Sequence, residues 1–233
     1  FDIEPLVLMK YDFLGLENLH IIGATLKKIK IDLGEDIDLE KIDYEDKETF
    51  DTIKSGHTVG IFQMESEGMK RTVKAIKPDK LEDICYILAA YRPGPMQFIT
   101  EYQAVKEGKQ EPDYIFPELE PVLSITNGVI TYQEQVMKIA QVVAGYSLGK
   151  ADVLRRAMGK KKVEVMEAEK PAFVNGAVAL GFDKEKVEAL WDKLLLFANY
   201  GFNKAHSASY ATTAYRTAYL KTHYPLQYMA ALL

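Results

Sequence analysis

Beyond Gly56 the chain reads as one helix after another, and this helical spacing, broken by glycine and proline, limits the fold more than any other feature. The sharpest break is Arg92-Pro-Gly-Pro95, because two prolines and a glycine cannot continue a helical ladder. Asp79 with Glu82 has the acceptor-x-x-Glu order of a capping box and predicts a helix running to about Tyr91. Further helices are expected at 97–107, 132–144, 149–158, 163–180, 184–199 and 206–222. Asn127-Gly128 ahead of Val129-Ile-Thr131 predicts a turn and one short strand. The sequence carries no internal repeat and no low-complexity tract.

The first residues follow another pattern. Pro5 to Phe13 is apolar except at Lys10 and Asp12, and reads as a strand. Leu16 to Lys30 then shows a broad apolar helical face through Leu16, Leu19, Ile22, Leu26 and Ile29. From Asp32 the chain is acid-rich and weakly apolar, the mark of a linker leading into a helix that ends near Gly56. The expected organisation is a strand-helix unit at 1–31, an acidic linker and helix at 32–56, and a helical domain at 57–233. The fold class is mainly α.

Hydrophobic residues at 48% and charged residues at 27% exclude wholesale disorder. The one cysteine, Cys85, lies in an apolar helical run, cannot form an intrachain disulfide and reads as a buried thiol. With only four scattered histidines besides, the composition argues against a zinc site. No apolar run is long enough to span a bilayer, and Phe1-Asp-Ile-Glu lacks the features of a secretion signal. A start without methionine and the apolar end Met229-Ala-Ala-Leu-Leu233 make both ends read as truncated.

Against a net charge of −5, Ser147 to Lys162 forms a cationic island. Lys150, Arg155, Arg156, Lys160, Lys161 and Lys162 face a single acid there, Asp152. Ser147 is a candidate N-cap, and Gly159 would end the helix with three lysines beyond it. Paired arginines a turn before a lysine cluster suit a polyanion such as a triphosphate or a nucleic-acid backbone. Taken alone, the stretch also reads as a solvated basic face. A second stretch, Asn199 to Ala211, combines the hydrogen-bond donors Asn203, Lys204 and His206 with the flat faces of Tyr200, Phe202 and Tyr210. Donors and stacking faces beside a small-residue helix start suit a nucleotide.

Six collinear motifs extend over nearly the whole chain. They are Lys10-Tyr-Asp-Phe-Leu-Gly-Leu16, Gly60-Ile-Phe-Gln-Met-Glu-Ser-Glu-Gly-Met69, Tyr91-Arg-Pro-Gly-Pro-Met96, Tyr132-Gln-Glu-Gln-Val-Met137, Leu154-Arg-Arg-Ala-Met-Gly-Lys-Lys161 and Gly201-Phe-Asn-Lys-Ala-His206. In these motifs the chain closely resembles the alpha subunit of bacterial DNA polymerase III, the C-family replicative polymerase. The resemblance covers the end of the palm, at 1–31, and the fingers, at 57–233, and implies a part of a template-directed DNA polymerase.

The resemblance sets Asp12 at the third of the family's three palm aspartates, a catalytic and metal-binding position. A carboxylate in an apolar strand needs a compensating partner, and a Mg²⁺ ion is one; two ions are expected in a complete palm. The other two aspartates belong to an Asp-x-Asp motif upstream. Asp36-Ile-Asp38 has that spacing but follows the Asp12 strand in an acid-rich setting, and reads as a solvated decoy. Without the upstream pair, these residues alone are expected not to polymerise.

The resemblance further implies nucleotide contacts for Arg155, Arg156, Lys160, Asn203, Lys204 and His206, and DNA contacts for Arg92, Lys161 and Lys162. Consecutive arginines point about 100° apart on a helix, so one is expected on the triphosphate and the other on a structural acid, in an order the sequence leaves open. Gly201 would let the backbone turn or approach closely. Gln63 and Glu65 have no role beyond structure at this level, and Tyr215, Tyr219 and His223 read as core or interface. Implied partners are a primer-template, a deoxynucleoside triphosphate, the remainder of the polymerase chain, and a sliding clamp with other replisome subunits, in a bacterial cytoplasm at the nucleoid and not at a membrane. The competing reading is a non-catalytic helical module that binds nucleic acid or nucleotide.

Overall fold

The computed structural model describes residues 15–159, 163–198 and 200–233, and among them the fold is mainly α, with twelve α-helices. The expected strand at Pro5 to Phe13, with Asp12, lies outside the described residues. Helices α1 (Glu17–Leu33), α2 (Lys47–Ser55), α3 (Glu67–Ile76) and α4 (Leu81–Ala90) come first. After them come α5 (Ile99–Lys106), the short α6 (Glu120–Leu123), α7 (Gln133–Ala144) and α8 (Leu148–Gly159). The last four are α9 (Val163–Ala179), α10 (Lys184–Ala198), α11 (Lys204–His223) and α12 (Pro225–Leu232).

Helix α11 is the spine, packed against α4, α2, α12 and α1, while α7, α8, α9 and α10 pack on one another. The main core joins both groups through buried Tyr86, Tyr102, Phe173, Trp191 and Tyr215. Burying one large apolar side chain contributes about 1.5–3 kcal/mol, against about 0–1 kcal/mol for an exposed ion pair, so this core and not the surface lysine–acid pairs holds the helices together. A smaller core of Ile22, Ile29, Leu39, Leu220 and Tyr228 seats α1 against α11 and α12.

The acid-rich segment before α2 is laid along α11. Tyr215 donates to the Asp43 carbonyl at 2.8 Å and accepts the Asp46 N–H at 3.0 Å. Arg216 reaches the Tyr44 hydroxyl and the Glu40 carboxylate, each at 2.7 Å. Asp46 then caps α2 by accepting the Thr49 N–H at 2.9 Å.

Two local expectations need correction. The capping box of Asp79 and Glu82 does not form: Lys80 is the N-cap of α4, with no side-chain cap. Asp79 instead pairs with Lys106 at 2.7 Å, and the reciprocal bond to the Asp79 N–H comes from Asp83 at 3.0 Å. Asp83 is fully buried, and it also takes the Tyr102 hydroxyl and the Lys106 ammonium, both at 2.6 Å. A long-range need for an acid between α4 and α5 thus outcompetes the local cap. The strand expected at Val129–Thr131 is likewise absent among the described residues. Only Tyr132 and Phe202 form a single parallel bridge, because the partner segment turns into α11 straight after it.

Candidate functional site

A cavity of about 530 Å³ opens where α11 meets the segment before α3 and the end of α4. Phe202, His206 and Tyr210 form one wall, Phe62, Gln63 and Glu65 another, and Arg92 and Tyr91 a third. His206 and Tyr210 are one turn apart, so their rings share a face of α11 with centroids 4.2 Å apart. Phe202 extends the row at 5.5 Å from His206, and Phe62 closes it at 5.1 Å from Tyr210. With Tyr91 opposite this row of four, five aromatic rings line the cavity and make a flat-sided, apolar-walled slot.

Arg92 is held rigidly. Its Nε donates to the Ala89 carbonyl and its Nη2 to the Tyr200 carbonyl, both at 2.8 Å, and its guanidinium lies 4.4 Å over the Phe202 ring. Burial lowers its pKa from the usual value, yet an arginine stays charged, so the cavity carries a fixed cation without a carboxylate partner among the described residues. Gly94 makes this possible: its φ is +102°, and a Cβ there would stand 2.3 Å from the Tyr200 ring. The Arg92-Pro-Gly-Pro95 stop is therefore also a close-packing device.

The motif from Gly60 to Met69 supplies the facing wall. Glu65 accepts the Gly60 N–H at 2.8 Å, and the Phe62 N–H donates to Thr217 of α11 at 3.1 Å. Gln63 sits at a φ of +61°. Sequence reasoning missed Phe62, Gln63 and Glu65 as wall residues. The motif itself marked them, but their meeting with residues some 140 positions later left no local signal.

The second donor cluster begins α11. Asn203 is its N-cap, accepting the His206 N–H at 2.8 Å. Glu134 of α7 takes Asn203 Nδ2 at 3.1 Å and the Lys204 N–H at 3.0 Å. Asn203 thus has a structural task beside any contact with a ligand. The Lys204 side chain is exposed.

Helix α8 carries the arginines. Ser147 caps it as expected, accepting the Lys150 N–H at 3.2 Å. Asp152 binds Arg155 Nε and Arg156 Nε, each at 2.8 Å. Spacing had suggested one arginine on a structural acid; both meet the same one, since positions i+3 and i+4 flank one residue on a helix. The Arg155 hydrogen bond, opposed by some desolvation and helped by both guanidinium charges, holds the Asp152 carboxyl below its usual range. Arg155 also reaches Gln133 Oε1 at 3.4 Å, whereas Arg156 is largely exposed. Lys160, Lys161 and Lys162 lie outside the described residues.

Asp36 and Asp38 each pair with a lysine of their own, Lys30 at 2.8 Å and Lys41 at 3.0 Å, on the exposed surface. Among the described residues no three His, Cys, Asp or Glu side chains converge to hold a metal. Tyr215 is core, and His223 meets Asp46 at 2.8 Å, as packing rather than as a platform for a base. No helix among the described residues is long and apolar enough to cross a membrane.

Comparison with known proteins identifies the family. Residues 18–181 match the family described as bacterial DNA polymerase III alpha subunit finger domain. The chain is 50% identical over 233 residues to DNA polymerase III subunit alpha of Campylobacter jejuni, covering 99% of the chain and 19% of that relative. It is 47% identical over 236 residues to the same subunit of Thermus aquaticus, covering 99% and 19%, and 46% identical over 230 residues to that of Halalkalibacterium halodurans, covering 99% and 21%. The chain spans about a fifth of the length of these curated relatives. It belongs to the bacterial DNA polymerase III alpha subunit family, and most of it is the finger domain.

Proposed function

We propose that these residues are the nucleotide-binding fingers, with the end of the palm, of a template-directed DNA polymerase. The reaction is attack of a primer 3′-hydroxyl on the α-phosphate of a deoxynucleoside triphosphate: a new P–O bond forms, the bond to pyrophosphate breaks, and the hydroxyl loses its proton. The observation that carries this reading is the start of α11. There His206 stands in an aromatic wall suited to a flat base, while the exposed ammonium-bearing Lys204 and the capping Asn203 stand two and three residues before it.

In this reading Lys204, Arg155 or Arg156, and Lys160 neutralise the triphosphate, and His206 donates to a phosphate or the leaving group. Arg92, Lys161 and Lys162 meet the primer-template backbone. Asp12 would hold Mg²⁺ together with the two carboxylates of the family's upstream Asp-x-Asp motif; bound there, two ions would supply charge stabilisation at the reacting phosphate. The described residues do not form such a set themselves. Because this mechanism needs the family's Asp-x-Asp pair as well as Asp12, the second reading for these 233 residues taken alone is a helical module that binds nucleic acid or nucleotide without turnover. Clamp and replisome partners, and a place in the bacterial cytoplasm at the nucleoid, belong to the same proposal.

The test is single-turnover incorporation by the complete polymerase. Lys204→Ala should slow it by more than about tenfold, or over ~1.4 kcal/mol, with primer-template affinity little changed. Lys161→Ala with Lys162→Ala should instead weaken DNA binding and flatten its salt dependence. Asp12→Asn should abolish incorporation and leave the fold intact. The opposite assignment of rate and affinity to Lys204 and the lysine pair would overturn the reading.

A further inference from the structure

Helix α7 begins between the two donor clusters, and its first residue touches Arg155 of one and the Gly201–Phe202 segment that leads into the other. Gln133 Oε1 accepts from Arg155 Nη1 at 3.4 Å, and its Nε2 donates to the Gly201 carbonyl at 3.2 Å. The Gln133 N–H donates to the Phe202 carbonyl at 2.9 Å, so main chain and side chain hold successive residues of one segment. A Cβ at Gly201 would stand 3.1 Å from Gln133 Cγ, so the two residues approach closely. The next residue, Glu134, binds Asn203 and Lys204. Helices α8 and α11 thus meet through the first turn of α7.

The amide matters chemically. A carboxylate accepts at both ends and an ammonium only donates, so neither can bridge a guanidinium and a carbonyl. We propose that Gln133 is a positioning residue that keeps the Arg155 guanidinium in register with Gly201–His206, so that both meet the phosphates of one nucleotide together. The inference rests on the nucleotide reading of this site. Arg155 shares Asp152 with Arg156 within α8, and Gln133 is its contact outside that helix. Fixing a cation relative to a second binding segment sets the geometry of the reacting phosphate, where a displacement of about 1 Å can cost roughly a hundredfold in rate.

The experiment is a double-mutant cycle in the complete polymerase, read as single-turnover incorporation and, separately, as primer-template affinity. Gln133→Met keeps the side-chain length without either hydrogen bond; Gln133→Glu keeps the Arg155 bond and loses the donor to Gly201. Each should slow incorporation about tenfold with unchanged DNA affinity. Combined with Arg155→Ala, Gln133→Met should slow the reaction no further than Arg155→Ala alone, because one residue acts through the other. A combined loss equal to the product of the single losses overturns the proposal, and so does a normal rate in both Gln133 variants. A normal rate in Arg155→Ala overturns this proposal, while normal rates in both Arg155→Ala and Arg156→Ala overturn the nucleotide reading of α8. Circular dichroism melts accompany each variant; should Gln133→Met not fold, Gln133→Glu takes its place in the cycle with the same two outcomes.

Discussion

The Glu134 carboxylate sits on the first turn of α11, its two oxygens 3.0 and 3.2 Å from the Lys204 N–H. An anion at a helix N-terminus meets unsatisfied N–H groups and the positive end of the dipole, so this contact stabilises the 20-residue helix that carries His206 and Tyr210.

Glu134→Ala should therefore destabilise the fold by about 0.3–1 kcal/mol. Glu134→Gln, which keeps an acceptor without the charge, should fall between the two. Urea unfolding followed by circular dichroism measures both; an Ala variant as stable as the parent would remove Glu134 from the support of α11.

Gly94 and Gly23 should respond oppositely to alanine. At Gly94 a methyl group would strike the Tyr200 ring and the backbone would be held at a disfavoured φ, so Gly94→Ala should cost more than about 2 kcal/mol. Gly23 lies inside α1 with open space around the Cβ position, and Gly23→Ala should stabilise by about 0.5–1 kcal/mol. Thermal melts of the two variants moving in the same direction would contradict the packing described for both.

Asp46 should give the fold an acid-sensitive limb. Burial pushes its pKa up, but the Thr49 hydroxyl and N–H and the His223 ring together hold it below its ordinary value of 3.8. A carboxyl depressed in the folded state contributes stability above its unfolded pKa and loses it as pH falls through the folded value. Asp46→Asn retains an acceptor for the cap but cannot titrate. The stability gap between parent and variant should be full at pH 6 and shrink below about pH 4. A gap that stays constant down to pH 2.5 would exclude this ionisation as its source.

Cys85 should be inert in the folded protein. It is 8% exposed within α4, and burial, with the Glu82 charge next, pushes its thiol up to about 11. Ellman's reagent at pH 8 should find no rapidly reacting thiol before urea is added and one after it. Rapid labelling without urea would mean that α4 and α11 separate readily.

Most of the helices were legible because their ends are written in local chemistry: Ser147 before α8, Gly56 after α2, and prolines after α4; α3 and the short α6 were not among the expected helices. The short strand was misread because Val129-Ile-Thr131 has strand composition, while pairing depends on what Phe202 does next. Asp79 shows the same limit, since Lys106 claims it from another helix. At the site, Arg92, Arg155, Lys204 and His206 stood out as charge or donor among apolar neighbours. Gln133 did not, because an uncharged amide at the start of a helix looks ordinary until Arg155 and Gly201 are seen on either side of it. Tyr210 was legible as a flat face, whereas Phe62, a largely buried residue, is identified as its neighbour only by the cavity both line.

The smaller core, where Ile22 and Ile29 of α1 meet Leu220 and Tyr228, has a consequence for how the chain is made. The partners of α1 are translated about 200 residues after it, which at bacterial elongation rates is roughly 10–40 s. Throughout that interval the apolar face of α1 has only Leu39 and its neighbours as native cover, and α2 and α4 likewise await α11. Closure of α1 onto α11 and α12 consequently waits until Tyr228 has left the ribosome.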